Sequence, residues 1–166
     1  MDDPHDGAYA REPQLDDLAR LGRSLNAHHV RYVLIGGFAV IAHGGARTTK
    51  DIDLLIDAGQ ENVGRVRQAL QILEDKAVND VGDDDVARYS VVRVADEIVV
   101  DLMAKACGVD YADASRDAVT VEFAGVPMPV ASPRTLLRTK NTVRPADAAD
   151  RQFLQALVDE AARGST

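Results

Sequence analysis

The sequence is short of the residues that build several common kinds of site. Its 166 residues include one cysteine, no tryptophan and only 4% aromatic residues. The single cysteine, Cys107, excludes an internal disulfide and a zinc site made of several cysteines, and it favours a reducing compartment. The shortage of aromatic side chains argues against RNA-binding modules that stack bases on aromatic rings.

Basic residues and long apolar runs are scarce as well. The chain has 19 Lys and Arg against 27 Asp and Glu, a formal net charge of -8. Such a surface repels phosphate backbones on average, so we expect neither non-specific DNA binding nor attachment to anionic membranes. No apolar run reaches the ~20 residues that span a bilayer, and residues 1–7 are acidic where a signal peptide would be basic. We therefore expect a cytoplasmic protein.

What is present is the composition of one folded domain. Hydrophobic residues make up 46% and charged residues 28% of the chain, which is ordinary for a globular protein. Residues 1–12 are polar and aperiodic, so we expect a flexible tail there. We expect a single domain over residues 13–166, with C-terminal helices from residue 132, because Ser132 and Pro133 form a helix start signal.

Hydrophobic periodicity predicts both helices and strands. Helical spacing predicts a helix from Pro13 through Leu25 and further helices over 38–42, 61–73, 132–141 and after Pro145. Residues enriched in valine and isoleucine predict strands over 30–35, 51–56, 89–94, 97–103, 119–123 and 126–130. The last four strands form two hairpin candidates, and residues 79–85 form an acidic loop. The pattern predicts an α+β fold in which a twisted, mixed β-sheet is flanked by helices.

Gly36 and Gly37 stand between a predicted strand and a predicted helix. Because glycine has no Cβ, the backbone N–H groups of such a turn can approach a phosphate, and the start of the helix adds positive potential. A glycine pair is often only a turn, which is the plainer explanation. If the turn does bind phosphate, Gly37→Val should weaken nucleotide binding and leave the fold mostly intact.

Three aspartates are candidate metal ligands. Asp51 and Asp53 are two residues apart on a predicted strand, so their carboxylates lie on one face and can converge on a hard cation such as Mg²⁺. Two-metal phosphoryl chemistry usually needs another carboxylate on a neighbouring strand. Asp101 is the best candidate, since it interrupts an apolar run in which a lone acid is costly.

Several basic residues lie near these candidates in the sequence. Arg47 and Lys50 precede the acidic strand directly and are well placed for phosphate. Lys140 and Arg144 are four apart and form a local basic patch that could bind a triphosphate or an acceptor. The alternative is that this patch pairs with nearby carboxylates on a solvated face, in which case Lys140→Ala would have little effect on stability.

These residues together resemble a known family. Gly36-Gly37, the 13-residue gap, Asp51-Ile52-Asp53 and the later Asp101 resemble the signature of the DNA polymerase β-like nucleotidyltransferase superfamily. The run from Lys140 through Arg144 to Asp147 and Asp150 is similar to an element of the AbiEii-type toxin nucleotidyltransferases. The resemblance covers residues 30–157. Many relatives have Gly-Ser at the turn, where the serine hydroxyl binds phosphate, whereas Gly37 offers only its backbone.

The resemblance implies a function. An NTP such as ATP would lie at Gly36 and Gly37, with Mg²⁺ or Mn²⁺ held by Asp51, Asp53 and Asp101. Lys140, carried by a separate C-terminal helix, would stabilise charge on the triphosphate together with cations such as Arg144. The product would be a nucleotidylated hydroxyl of a tRNA, a protein or a small molecule, and a cognate antitoxin is an expected partner.

Two other functions remain open at the level of sequence. A DxD pair also binds the metal–diphosphate of nucleotide-sugars in glycosyltransferases, which would use Asp51 and Asp53 without the glycine turn. A catalytically silent NTP-binding or partner-binding module would keep the fold and lose turnover. The sequence does not identify the acceptor, because acceptor-binding pockets are built from loops that carry no motif.

Overall fold

The structure is a computed structural model that describes residues 9–164. Within that range the helices are α1 Leu15–Ala27, α2 Gly36–Ala42, α3 Gln60–Ala69, α4 Asp85–Arg88, α5 Tyr111–Ser115, α6 Pro133–Thr139 and α7 Pro145–Gly164. The strands are β1 Tyr32–Ile35, β2 Asp51–Ile56, β3 Val92–Ala95, β4 Val99–Met103, β5 Lys105–Ala106, β6 Val109–Asp110, β7 Val119–Phe123 and β8 Val126–Val130.

Six of the strands form one mixed sheet in the order β3-β4-β2-β1-β8-β7. The pairs β2–β4 and β1–β8 are parallel, and the other three pairs, β1–β2, β3–β4 and β7–β8, are antiparallel. Helices pack on the sheet around a core of small and branched aliphatic side chains, as the shortage of aromatic residues requires. The predicted α+β architecture with a mixed sheet flanked by helices is confirmed.

Both predicted hairpins are present. β7 and β8 have the predicted bounds, and they are joined at Ala124 and Gly125, both with positive φ (48° and 82°). Two consecutive positive φ values give a turn whose twist matches that of the strands. The other hairpin, β3–β4, turns through residues 96–98 rather than through the predicted Ala95-Asp96, because Ala95 still pairs with Val99. In this turn Asp96 accepts the backbone N–H groups of Asp75 and Ala77 at 2.9 Å each.

Both ends of the predicted domain are defined by local contacts. Residues 1–8 of the predicted tail lie outside the described residues. Arg11 is already attached: its backbone N–H donates to the carbonyl of Glu97 at 3.1 Å, and its guanidinium donates to both oxygens of Asp17 at 2.6 Å. At the other end, Ser132 accepts the N–H of Thr135 at 3.1 Å, and α6 begins at residue 133 as predicted.

Some predicted bounds differ from the structure. The helix predicted over 61–73 ends at Ala69 and continues as a 3-10 turn, and the strand predicted over 30–35 begins at Tyr32. The predicted acidic loop contains a 3-10 turn, and α4 begins at its end. The ribbon β5–β6 and helix α5 were not predicted, because elements of two to five residues are too short for periodicity to reveal them. No helix within residues 9–164 is both long and apolar enough to cross a membrane.

Candidate active site

Three carboxylates meet on one face of the sheet. In the parallel pairing of β2 with β4, Asp53 lies opposite Asp101, and Asp51 is two residues earlier on β2. Each of the three residues offers an oxygen, and these oxygens lie within 4.8 Å of one another. The predicted convergence of Asp51, Asp53 and Asp101 is therefore confirmed. Oxygen ligands at this spacing suit a hard divalent cation such as Mg²⁺ or Mn²⁺.

The cluster is electrostatically strained without a cation. Burial, and then the charges of Asp51 and Asp101, raise the pKa of Asp53 to about 8. Burial and the charge of Asp101 also raise the pKa of Asp51. Like carboxylates in a partly desolvated site hold their protons because their negative charges repel one another. A bound cation would remove that penalty, so the donor set fits a metal.

One residue of this site, Arg93, was not predicted from the sequence. It lies on edge strand β3 opposite Asp101 and extends the row formed by Asp53 and Asp101 across three strands. Its Nε and one terminal nitrogen donate to the two oxygens of Asp101 at 2.9 and 3.0 Å, and the same terminal nitrogen lies 3.5 Å from Asp51. The sequence places Arg93 on a predicted strand, but only the register of the β3–β4 hairpin puts it opposite Asp101, and the sequence does not reveal that register.

The glycine turn lies directly beside the carboxylates. α2 starts at Gly36 without a linker after β1, and Gly36 has a φ of +73°. A Cβ at Gly36 would lie 2.0 Å from an oxygen of Asp53. Residue 36 therefore has to be glycine for two reasons, its backbone conformation and its approach to the metal-ligand candidate.

Gly36→Ala is expected to destabilise the protein more than Gly44→Ala does. Both glycines have positive φ, +73° and +100°, but a Cβ at Gly44 meets nothing within 4 Å. The Gly44 variant should therefore lose only the stability that backbone strain costs, about 1 kcal/mol. The Gly36 variant should lose more, because its Cβ also has to displace the side chain of Asp53. Urea unfolding measures the stability of both variants, and Mn²⁺ titration measures their affinity for the cation. Equal losses of stability together with unchanged Mn²⁺ affinity would show that the Cβ clash is relieved elsewhere.

The expectation that Gly37→Val would leave the fold mostly intact is wrong. A Cβ at Gly37 would lie 2.6 Å from Cβ and Oγ1 of Thr49 and 3.4 Å from the guanidinium carbon of Arg47. The space beside Gly37 is thus already filled by the segment that leads into β2. The hydroxyl of Thr49, which donates to the carbonyl of Asp51 at 3.0 Å, lies where a side chain at residue 37 would project.

Lys140 lies in a buried ion cluster. Its Nζ is 3.1 Å from Asp150 and 3.4 Å from Asp147, and the three side chains are 7%, 7% and 2% exposed. The alternative in which Lys140 pairs with these carboxylates on a solvated face is therefore half correct. The partners are right, but the cluster is buried because α7 packs over the end of α6. The positive charge of Lys140 also acts on Asp53.

Two arginines complete this cluster. Arg47, from the segment before β2, donates to Asp150, and Arg144 donates to both oxygens of Asp147 at 2.9 and 3.2 Å. Burial acts to raise the pKa of Asp147, but hydrogen bonds from Arg144 and Thr142 and the charge of Lys140 outweigh it and lower the pKa to about 2. Asp147 is thus ionised at neutral pH. The three cations exceed the two carboxylates by one positive charge.

One cleft joins these groups, except that Asp150 does not line it. It has a volume of about 1020 Å³. All nine residues singled out from the sequence line it, namely Gly36, Gly37, Arg47, Lys50, Asp51, Asp53, Asp101, Lys140 and Arg144. Lining residues that the sequence analysis did not assign to a site include Arg93, Lys105 and Cys107. The cleft therefore has an acidic floor on the sheet and a basic wall formed by the segment before β2 and the connection between α6 and α7.

Comparisons with known proteins bear on the family and the fold of this chain. The family model "Nucleotidyl transferase AbiEii toxin, Type IV TA system" matches residues 16–147. A crystal structure from Thermotoga maritima, described as a candidate nucleotidyltransferase, matches with a TM-score of 0.53 and 16% sequence identity, covering 94% of this chain and 99% of the other. That identity is low, so the likeness supports the fold. No curated protein matches the chain.

Proposed function

Because the chain belongs to the AbiEii nucleotidyl transferase toxin family of type IV toxin–antitoxin systems, we propose that it moves a nucleoside monophosphate from an NTP to a hydroxyl of an acceptor, using a divalent cation. The family makes the chain a nucleotidyltransferase. The observation that carries the metal-dependent mechanism is the convergence of Asp51, Asp53 and Asp101 within 4.8 Å, beside a glycine turn.

The acidic floor would hold the cation. Asp51, Asp53 and Asp101 supply oxygen ligands from two adjacent strands, so the rigid sheet fixes their spacing. A divalent cation, Mg²⁺ or Mn²⁺, held by these three aspartates would supply positive charge for the α-phosphate and the leaving pyrophosphate and would make an acceptor hydroxyl more acidic. Both cations prefer oxygen ligands, and the cluster provides nothing else.

The basic wall would hold the triphosphate. Lys50 lines the cleft at the start of β2, and the net positive charge shared by Arg47, Lys140 and Arg144 faces the same space. Arg144 is 72% exposed and keeps donors free for a ligand, since a guanidinium has five N–H groups. Gly36 and Gly37 line the same cleft, but the space left by their missing side chains is filled by Asp53 and Thr49, so a triphosphate there would meet only their backbone.

The remaining parts of the proposal concern the acceptor, the partner and the location. The cleft volume of about 1020 Å³ lies at the top of the usual range for ligand pockets, about 300–1,000 Å³, so we expect room for a second substrate. We propose a tRNA, protein or small-molecule hydroxyl as acceptor, and a cognate antitoxin encoded with this toxin-family chain. NTPs and a reduced Cys107 both fit the cytoplasm as the site of action.

Labelled NTPs test the proposal directly. Each NTP, labelled at the α-phosphate or at the γ-phosphate, is incubated with the protein, Mg²⁺ or Mn²⁺ and a cell extract. We expect α-label in an acceptor, release of pyrophosphate, and at least about 100-fold less transfer when EDTA removes the cation, because the cation supplies several kcal/mol of charge stabilisation.

Each alternative has its own signature in this experiment. Transfer of γ-label would indicate a kinase. A parallel incubation with sugar-labelled nucleotide-sugars that alone labels an acceptor would indicate a glycosyltransferase that uses the DxD pair. NTP binding without any transfer would indicate a silent binding module. Unchanged α-label transfer by Asp51→Asn, or in EDTA, would contradict the metal-dependent mechanism.

A further inference from the structure

Arg93 is a positive charge placed directly against the carboxylate cluster. Its two hydrogen bonds to Asp101, at 2.9 and 3.0 Å, occupy both oxygens of the carboxylate, and a third approach of 3.5 Å reaches Asp51. The side chain of Asp101 is 7% exposed, whereas that of Arg93 is 45% exposed. The guanidinium therefore lies between the buried carboxylate and the open cleft.

We propose that Arg93 is the resident counter-ion of the cluster and competes with the divalent cation for Asp51 and Asp101. The inference rests on the proposed function, because it takes the three aspartates to be the cation site. In the cation-free protein the guanidinium neutralises part of the negative charge of the three carboxylates, which would otherwise repel one another. A divalent cation at the same oxygens meets the positive charge of Arg93 a few ångströms away, and that repulsion weakens its binding.

The fold provides a place for the displaced guanidinium. Arg93 lies on the edge strand of the sheet, and it lines a second cleft of about 400 Å³ in addition to the active-site cleft. Asp80 and Asp85 line that second cleft. Rotation of the long side chain around the sheet edge would bring the guanidinium near these carboxylates, so its charge is not left without partners when a cation takes its place at Asp51.

A static structural bridge is the competing explanation. Arg93 could simply tie edge strand β3 to β4, since opposite charges that face each other across two strands stabilise the pair by a fraction of a kcal/mol. In that case its removal would loosen the site, and the cation would bind equally well or less tightly. The two explanations therefore predict opposite changes in cation affinity.

The test is a Mn²⁺ titration of the nucleotide-free protein by calorimetry. Arg93→Met removes the charge and keeps most of the side-chain length, and we expect it to bind Mn²⁺ at least about tenfold more tightly than the wild type. Arg93→Lys keeps the charge and should stay within about threefold of the wild type. Arg88→Met, which removes an exposed arginine outside the cleft, controls for the change in net charge.

A second measurement covers the case of altered folding. In EDTA, Arg93→Met should unfold at a lower temperature than the wild type, and saturating Mn²⁺ should raise its melting temperature by a larger increment. Equal or weaker Mn²⁺ binding by Arg93→Met, in a protein whose wild type binds Mn²⁺ and transfers the α-label, would overturn the inference alone. Absence of Mn²⁺ binding in the wild type and in every variant, with and without NTP, would overturn both the inference and the proposed cation site.

Discussion

Replacing Asp53 with asparagine is expected to abolish transfer and, at the same time, to make the cation-free protein more stable. Loss of one of three carboxylate ligands removes about 4 kcal/mol of cation-dependent stabilisation, which corresponds to a fall in transfer of about a thousandfold. The gain in stability arises because the amide keeps the shape of the side chain and removes a partly buried charge that faces two like charges.

The pH dependence of this gain follows from the raised pKa of Asp53. In the folded protein its pKa is about 8, against 3.8 for an unperturbed aspartate, so the native state binds more protons than the unfolded state between these values. Stability of the wild type in EDTA therefore falls as pH rises from about 4 to 8. Asp53→Asn should lose less over this range, and each pKa unit of the shift corresponds to about 1.4 kcal/mol.

Urea unfolding in EDTA at pH 5 and pH 8, beside the labelled-NTP assay, measures both effects. Asp57→Asn is the matched control, because Asp57 directly follows the same strand, lies outside the cleft and pairs with Arg31 at 3.2 Å. We expect the control to keep transfer and to change stability by less than about 1 kcal/mol. A stability loss in Asp53→Asn at pH 8 would contradict the repulsion described for the cluster.

Lys140→Met is expected to destabilise the protein by about 3 kcal/mol. The substitution leaves Asp147 and Asp150 buried with one cation fewer, and the loss of one partner from a buried ion pair typically costs about 3–5 kcal/mol. The lower end applies because Arg47 and Arg144 remain beside the two carboxylates. The burial of Lys140 contradicts the solvated face assumed from the sequence, so we now expect a clear loss of stability for Lys140→Ala as well.

A fall in activity of Lys140→Met has meaning only when it is corrected for folding. Transfer should be compared at a temperature where both proteins are fully folded, with Arg138→Met as control, since Arg138 is exposed in the last turn of α6, two residues before Lys140. Lys140→Arg should restore stability in part. An unchanged unfolding free energy in Lys140→Met would mean that the lysine is solvated and that α7 does not cover it.

The parts of the fold that sequence reveals are those set by local chemistry. The turn at Ala124-Gly125 adopts positive φ, which glycine accommodates, and Ser132-Pro133 caps and starts a helix. A hairpin and a helix could therefore be placed from the sequence within a residue or two. The spacing of Asp51 and Asp53 puts both carboxylates on one face whatever the surroundings. These features depend on neighbours along the chain, and the structure confirms them.

The parts that sequence does not reveal depend on which strands become neighbours. The pairing of β2 with β4 in parallel, with Asp53 opposite Asp101, crosses a long stretch of chain, and no local pattern specifies its register. The same holds for Arg93, whose role follows from one cross-strand register. The burial of Lys140 also depends on how α7 packs on α6, and a polar sequence around Lys140 predicts exposure.

The position of β2 inside the sheet has a consequence for amide hydrogen exchange. β2 is bonded to β1 on one edge and to β4 on the other, and its residues Ile52, Leu54, Leu55 and Ile56 are almost completely inaccessible to solvent. Amides in such a strand exchange with deuterium only when the whole domain opens. A ligand of the folded state slows that opening by mass action, so deuterium uptake in β2, compared with that in edge strand β7, reports ligand affinity without any knowledge of the acceptor.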